Sequence, residues 1–190
     1  MKTWMATHIA FAVSLWSALA YCAFVFPRQA TAEDRPISIH YAPKENLEKI
    51  DVDLLDSARH EIDIAAYVLT DWPVMLALHR AAVERGLKVR VHLDRGALDR
   101  ANNAPPAQAL KDAALSGKYK LEIRIKTDSD LMHLKAYQID GKVLRTGSAN
   151  FSASGLKRQD NDLIILRNEE TAARFKANFE RIFAAGEKLK

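Results

Sequence analysis

The chain has 190 residues, 48 % hydrophobic and 27 % charged, which supports one domain with its own core and excludes a largely disordered chain. Its one cysteine excludes a disulfide framework and leaves no Cys/His constellation for structural zinc. The formal charge of +4 is too small to name a partner by itself.

Lys2 opens the chain, an uncharged apolar run follows over residues 9–26, then Pro27 and the small-x-small triplet Ala30-Thr31-Ala32. That order reads as a secretory signal peptide over residues 1–32. The run also nears the length of a spanning helix, so an uncleaved anchor is the alternative. Both readings place residues 33–190 outside the cytoplasm, most simply in a bacterial periplasm. Cys22 lies inside the segment, so the exported part has no thiol.

Residues 37–41 alternate as a first strand that Pro43 ends, and Leu47, Ile50, Leu54 and Leu55 mark a helix over 44–59. Residues 61–69 form a second strand, alternating and then fully apolar. Thr70 or Asp71 caps a helix with Trp72-Pro73 in its first turn, and Gly86 stops it. Residues 87–94 alternate again, so 61–94 is strand, helix, strand with a right-handed crossover and a parallel pair. A polar loop over 95–106 leads to a short helix over 107–115 and a strand over 121–125. Residues 131–139 and 142–146 are strands joined at Asp140-Gly141, a hairpin dipeptide. Residues 151–159 are loop or short helix, and 162–167 a buried strand. Asn168 caps a last helix with Glu169 and Glu170 in its first turn and Ala172, Phe175, Phe179, Ile182 and Phe183 on its apolar face. The sum is one α/β domain over 33–190, a mixed, largely parallel β-sheet flanked by helices.

Within this frame one pattern carries chemistry: His133-x-Lys135-x4-Asp140-x6-Gly147-Ser148-x-Asn150. Residues i and i+2 of a strand share a face, so His133 and Lys135 project together. The Gly147–Asn150 turn follows the next strand, where backbone N–H groups and short polar side chains hold an anion. An imidazole, an ammonium and amide donors on one face suit a phosphoryl group. Lys118, Lys120, Arg124 and Lys126 precede the motif, and Lys142, Arg145, Lys157 and Arg158 surround its second half, clusters that suit a polyanion.

The pattern resembles the HKD signature of the phospholipase D superfamily. The upstream run from Ala66-Tyr67 through Arg85-Gly86-Leu87-Lys88-Val89-Arg90-Val91 to Asp94 is similar to that half of small, single-motif bacterial endonucleases of the superfamily. The resemblance implies a phospholipase D/nuclease-like fold and metal-independent phosphodiester hydrolysis without a cofactor. It implies His133 as the nucleophile of a covalent phosphohistidine, with Lys135, Asn150 and Ser148 on the phosphate oxygens. A carboxylate beyond the turn would orient the imidazole; Asp160 and Asp162 are the candidates, with Asp160 the nearer match. Asp140 and Gly147 take structural roles at their turns.

Two-motif members bring two histidines to one site, and this chain has one motif. A two-fold homodimer supplies the second His133 as acid for the leaving oxygen. His40, His60, His79 and His92 have no motif around them and read as structural, His92 facing outward from its strand. The expected activity is that of an exported endonuclease on DNA or RNA. A lipid phosphodiesterase or transphosphatidylase is the alternative, although such enzymes usually have larger chains with both motifs and apolar loops for lipid entry.

Overall fold

The computed structural model describes residues 35–100 and 104–190, so the expected signal or anchor segment lies outside the described residues. The first half of the fold is β1 (Ile37–Ala42), α1 (Leu47–Ser57), β2 (Glu61–Ala66), α2 (Trp72–Val83), β3 (Lys88–Leu93), α3 (Ala97–Arg100), α4 (Pro105–Leu115) and β4 (Leu121–Ile125). The second half is β5 (Lys135–Ile139), β6 (Val143–Thr146), α5 (Ala153–Lys157), β7 (Asn161–Arg167), α6 (Glu169–Ala185) and β8 (Glu187–Lys188). Side-chain caps start α1, α2, α5 and α6: Asn46 accepts from Lys49 N, Asp71 from Val74 N, Ser152 from Gly155 N and Asn168 from Thr171 N. Among the described residues no helix is long and apolar enough to cross a membrane.

The strands form one sheet in the order β1-β7-β6-β5-β2-β3-β4-β8. Pairs β2–β3 and β3–β4 are parallel, as the strand-helix-strand pattern predicts, and the other pairs are antiparallel. The expectation of a largely parallel sheet is therefore corrected to a mixed one with more antiparallel pairs. The physical reason is the hairpin connection after β5, which only antiparallel strands can use. A tight hairpin joins β5 to β6, and antiparallel pairing continues from β6 to β7 and from β7 to β1.

Alternation divides each central strand between two layers. Ile62, Ile64, Ala66, Val89, Val91, Leu93, Tyr137 and Ile139 join the main core with residues of α1, α2 and α4. The opposite side chains lie under α6, where Ala65 and Met132 pack with Phe179 and Phe183. This second layer is unusually polar. Asp63 accepts from Arg90 at 2.7 and 2.9 Å and from Gln138 at 2.7 Å, and Arg90 lies against the Phe179 and Phe183 rings. His92 belongs to it as well. The reading that it faces outward holds for the alternation, but α6 covers that face and leaves the residue 1 % exposed. The strand expected over 162–167 is half-buried rather than buried, because one sheet face there is only partly covered.

Asp140 ties the β5–β6 turn to the start of β2. Its φ is 55° and that of Gly141 is 67°, the left-handed pair that a tight hairpin requires. Its carboxylate accepts from Arg59 N and His60 N at 2.8 Å and from Glu61 N at 2.9 Å. Burial pushes this carboxyl upward, but the three N–H groups and His60 outweigh it and hold it below the ordinary range. A carboxyl depressed in the folded state stabilises above its unfolded pKa of about 3.9 and loses that contribution as pH falls through the folded value. Asp140→Ala should therefore cost about 1–2 kcal/mol at neutral pH, with the gap from the parent narrowing below about pH 4 in urea melts. A gap that stays constant into acid would show that the carboxylate is not the source.

Candidate functional site

The chemistry-bearing residues gather at one end of the central strands, where β2 and β3 end and β5 begins. His133 lies in the extended segment just ahead of β5, not within a longer strand as predicted, although Tyr67 N still donates to Leu134 O at 2.8 Å. Asp94, at the end of β3, holds that segment by accepting from Met132 N at 3.1 Å. Burial pushes the Asp94 carboxyl upward, but Arg100 and the Met132 and Gly96 amides hold it below the ordinary range.

His133 is exposed, whereas Lys135 is 8 % exposed. The Lys135 Nζ donates to His133 O at 2.8 Å and stands 3.2 Å from each imidazole nitrogen. Burial lowers its pKa, so the ammonium gives up its proton more readily than an exposed one. Tyr67 packs against both groups, its ring centroid 4.4 Å from that of His133 and 4.8 Å from Lys135 Nζ. Tyr67 and Asp94 were absent from the site residues inferred from sequence. Both stand in the upstream run that resembles the endonucleases, and each directly follows one of two adjacent parallel strands.

The second half of the motif is a tightly tied turn. Gly147 has φ 142°, and a Cβ there would stand 2.5 Å from Asp162 O, so only glycine allows β7 to approach this closely. Ser148 N donates to Asp162 Oδ1 at 2.9 Å, Asp162 N donates to Ser148 Oγ at 3.0 Å, and Ser148 Oγ donates to Asn161 Oδ1 at 3.1 Å. Asn150 is half-buried, and its Oδ1 is sealed from solvent without a hydrogen-bond partner.

Arg145 joins the two halves. Fully buried, it donates from Nη1 to Lys135 O at 2.9 Å and to Ala149 O at 3.4 Å. Its Nε and Nη2 grip the buried Asp51 carboxylate at 2.8 Å each, and Tyr137 OH donates to the same carboxylate at 2.8 Å. Burial removes Arg145 from the basic cluster expected to face a polyanion and makes it the brace of the motif.

His133, Lys135, Ser148 and Asn150 are thus set in two neighbouring segments that Arg145 cross-ties. Neither candidate carboxylate bonds the imidazole. Asp160 is exposed and makes no hydrogen bond among the described residues, and Asp162 is engaged by Ser148. Asp140 lies at the far end of β5, fixing the hairpin. Among the described residues no group of three or more His, Cys, Asp or Glu side chains is disposed to hold a metal ion.

A family model described as "Cardiolipin synthase, PLD-like domain" matches residues 52–183. A phospholipase D of Rickettsia conorii is 29 % identical over 143 residues, covering 75 % of this chain and 67 % of that protein. Two solved structures share the fold. Nuc from Salmonella typhimurium, a phospholipase D family member, superposes with TM-score 0.69 at 23 % identity, over 81 % of this chain and 97 % of Nuc. NucT from Helicobacter pylori gives 0.66 at 21 % identity, over 80 % and 98 %.

Proposed function

The chain belongs to the phospholipase D superfamily, and from that membership we propose that it hydrolyses phosphodiester bonds of nucleic acids through a covalent phosphohistidine. The observation that carries the chemistry is the Lys135 ammonium held beside the exposed His133 ring, with the Asn150 amide on a turn braced to the same strand. A neutral imidazole nitrogen attacks phosphorus, and the bond to the leaving oxygen breaks. Lys135 and Asn150 steady the non-bridging oxygens, with Ser148 beside them. The leaving oxygen takes a proton from His133 of the partner subunit in a two-fold homodimer. Water then attacks the phosphohistidine and restores the imidazole.

Nucleic acid is favoured as substrate because the motif and the upstream run resemble those of the single-motif endonucleases and because basic residues surround the motif. A lipid phosphodiester is the second reading. Leu131 and Leu134, 60 % and 37 % exposed, flank His133 and offer an apolar approach, and the Rickettsia relative is named a phospholipase D. The full chain should be incubated with DNA, RNA and phosphatidylcholine vesicles in parallel, with chelator present. Cleavage of DNA or RNA is expected. Release of choline with intact nucleic acid would move the assignment to lipid, and activity only after adding a divalent ion would reject the metal-independent step.

Export is part of the proposal, through residues 1–32 acting as signal or anchor. An alkaline phosphatase fused after residue 190 that stays inactive in a bacterial host would remove it.

A further inference from the structure

Beside His133 a cleft of about 300 Å³ opens between the 126–134 segment and one face of α6. Asn178, Arg181, Ile182 and Ala185 of that face line it, at the spacing that puts helix residues on one side. Leu131 stands on the opposite segment, and His92 borders the cleft from β3.

His92 is the feature that needs a reason. It is 1 % exposed, its Nδ1 is sealed, and it has no hydrogen-bond partner. Buried polar groups are almost always paired, so an imidazole that lies unpaired in the wall of a cleft points to a partner that arrives with a ligand at the ring edge bordering it. The ring is admitted by Gly186, where a Cβ would stand 2.7 Å from its Cε1. Burial, Lys126 and Arg124 push the imidazole pKa down to about 4, so it stays neutral at ordinary pH. A neutral ring edge suits an uncharged polar group better than a second phosphate. Arg181 donates to Asn178 Oδ1 at 2.9 Å, which leaves the Asn178 amide hydrogens for an acceptor. Leu131 and Ile182 add apolar walls.

We propose that this cleft seats the base of the nucleoside bonded to the scissile phosphate, its faces against Leu131 and Ile182 and its edge hydrogen-bonded by His92 and Asn178. The inference rests on the nucleic-acid reading above and deepens it. The cleft adjoins His133 directly, so a base seated there keeps its own phosphate within reach of the imidazole. Lys126 at the rim is paired with Asp128 at 3.1 Å and serves the flanking backbone rather than the base.

The test uses the full chain and two chromogenic diesters, thymidine 5′-(p-nitrophenyl phosphate) and the same ester of a sugar lacking the base, beside a DNA and RNA cleavage assay. The parent should prefer the base-bearing ester by about tenfold in kcat/KM, the scale of one stacked and hydrogen-bonded base. His92→Asn and Asn178→Ala should each reduce that preference severalfold. Asn178 is exposed on α6, so its variant keeps the test decisive if His92→Asn does not fold. Nucleic acid cleaved with a preference near one, or both variants losing equally on the two esters, would overturn the inference alone. DNA and RNA left intact would overturn it together with the reading it rests on.

Discussion

Replacing Arg145 by alanine should destabilise the fold by about 3–5 kcal/mol, because it strands a carboxylate in the core. Asp51 and Arg145 are each 0 % exposed, and the guanidinium meets both carboxylate oxygens. Burial drives the Asp51 carboxyl above its ordinary range even with Arg145 beside it; alone, it would rise further. A carboxyl raised in the folded state contributes stability below its unfolded pKa and loses it as pH rises through the folded value. The deficit of Arg145→Ala should therefore shrink in acid and widen toward neutrality, read from urea midpoints at several pH values.

The same arginine has a second duty that can be separated from the first. Removing the whole polar group, with Asp51→Leu, Tyr137→Phe and Arg145→Met together, replaces a buried ion pair by apolar packing, which is often neutral or stabilising. That triple variant should regain most of the lost stability. Its activity should stay low, by about 10- to 100-fold, because nothing then ties Lys135 O to Ala149 O. Recovery of full activity with stability would show that Arg145 serves the core and not the site.

These residues also show what the sequence could and could not reveal. The unit from β2 to β3 is legible because its apolar alternation and helix caps are local. The hairpin at Asp140-Gly141 is legible for the same reason, and it already argues for antiparallel pairing in the second half. Asp51 sits among Leu47, Ile50, Leu54 and Leu55, so the helical period places a carboxylate on the buried face. Its cation lies 94 residues away in the chain, and no local pattern announces that pairing. His92 and Arg90 alternate away from Val89, Val91 and Leu93, which reads as outward until α6 closes over the second face. The motif itself was legible because its spacing encodes two strands and a turn. Tyr67 and Asp94 stand in the upstream run that carries the resemblance, but their roles depend on strands that meet only in the fold.

His133→Ala should lower turnover by about 10⁴-fold or more while the protein folds normally, as the proposed nucleophile role of this exposed residue requires. The sharper experiment asks how many copies of His133 one site needs. Within one protomer the described neighbours of the imidazole are Lys135 and Tyr67, and no second histidine bonds to it. On the proposed mechanism two donors compete for the leaving oxygen, the partner subunit's His133 and Lys135, whose burial already loosens its proton. The two routes differ by mass action. If each site needs both imidazoles, every mixed dimer is inactive and activity follows the square of the parent fraction. An equal mixture of parent and His133→Ala chains, assembled together, then keeps about one quarter of the activity. If Lys135 is the acid and each protomer works alone, the mixture keeps about one half. A quadratic dilution curve places the acid across the two-fold axis, and a linear one puts the whole reaction in a single chain.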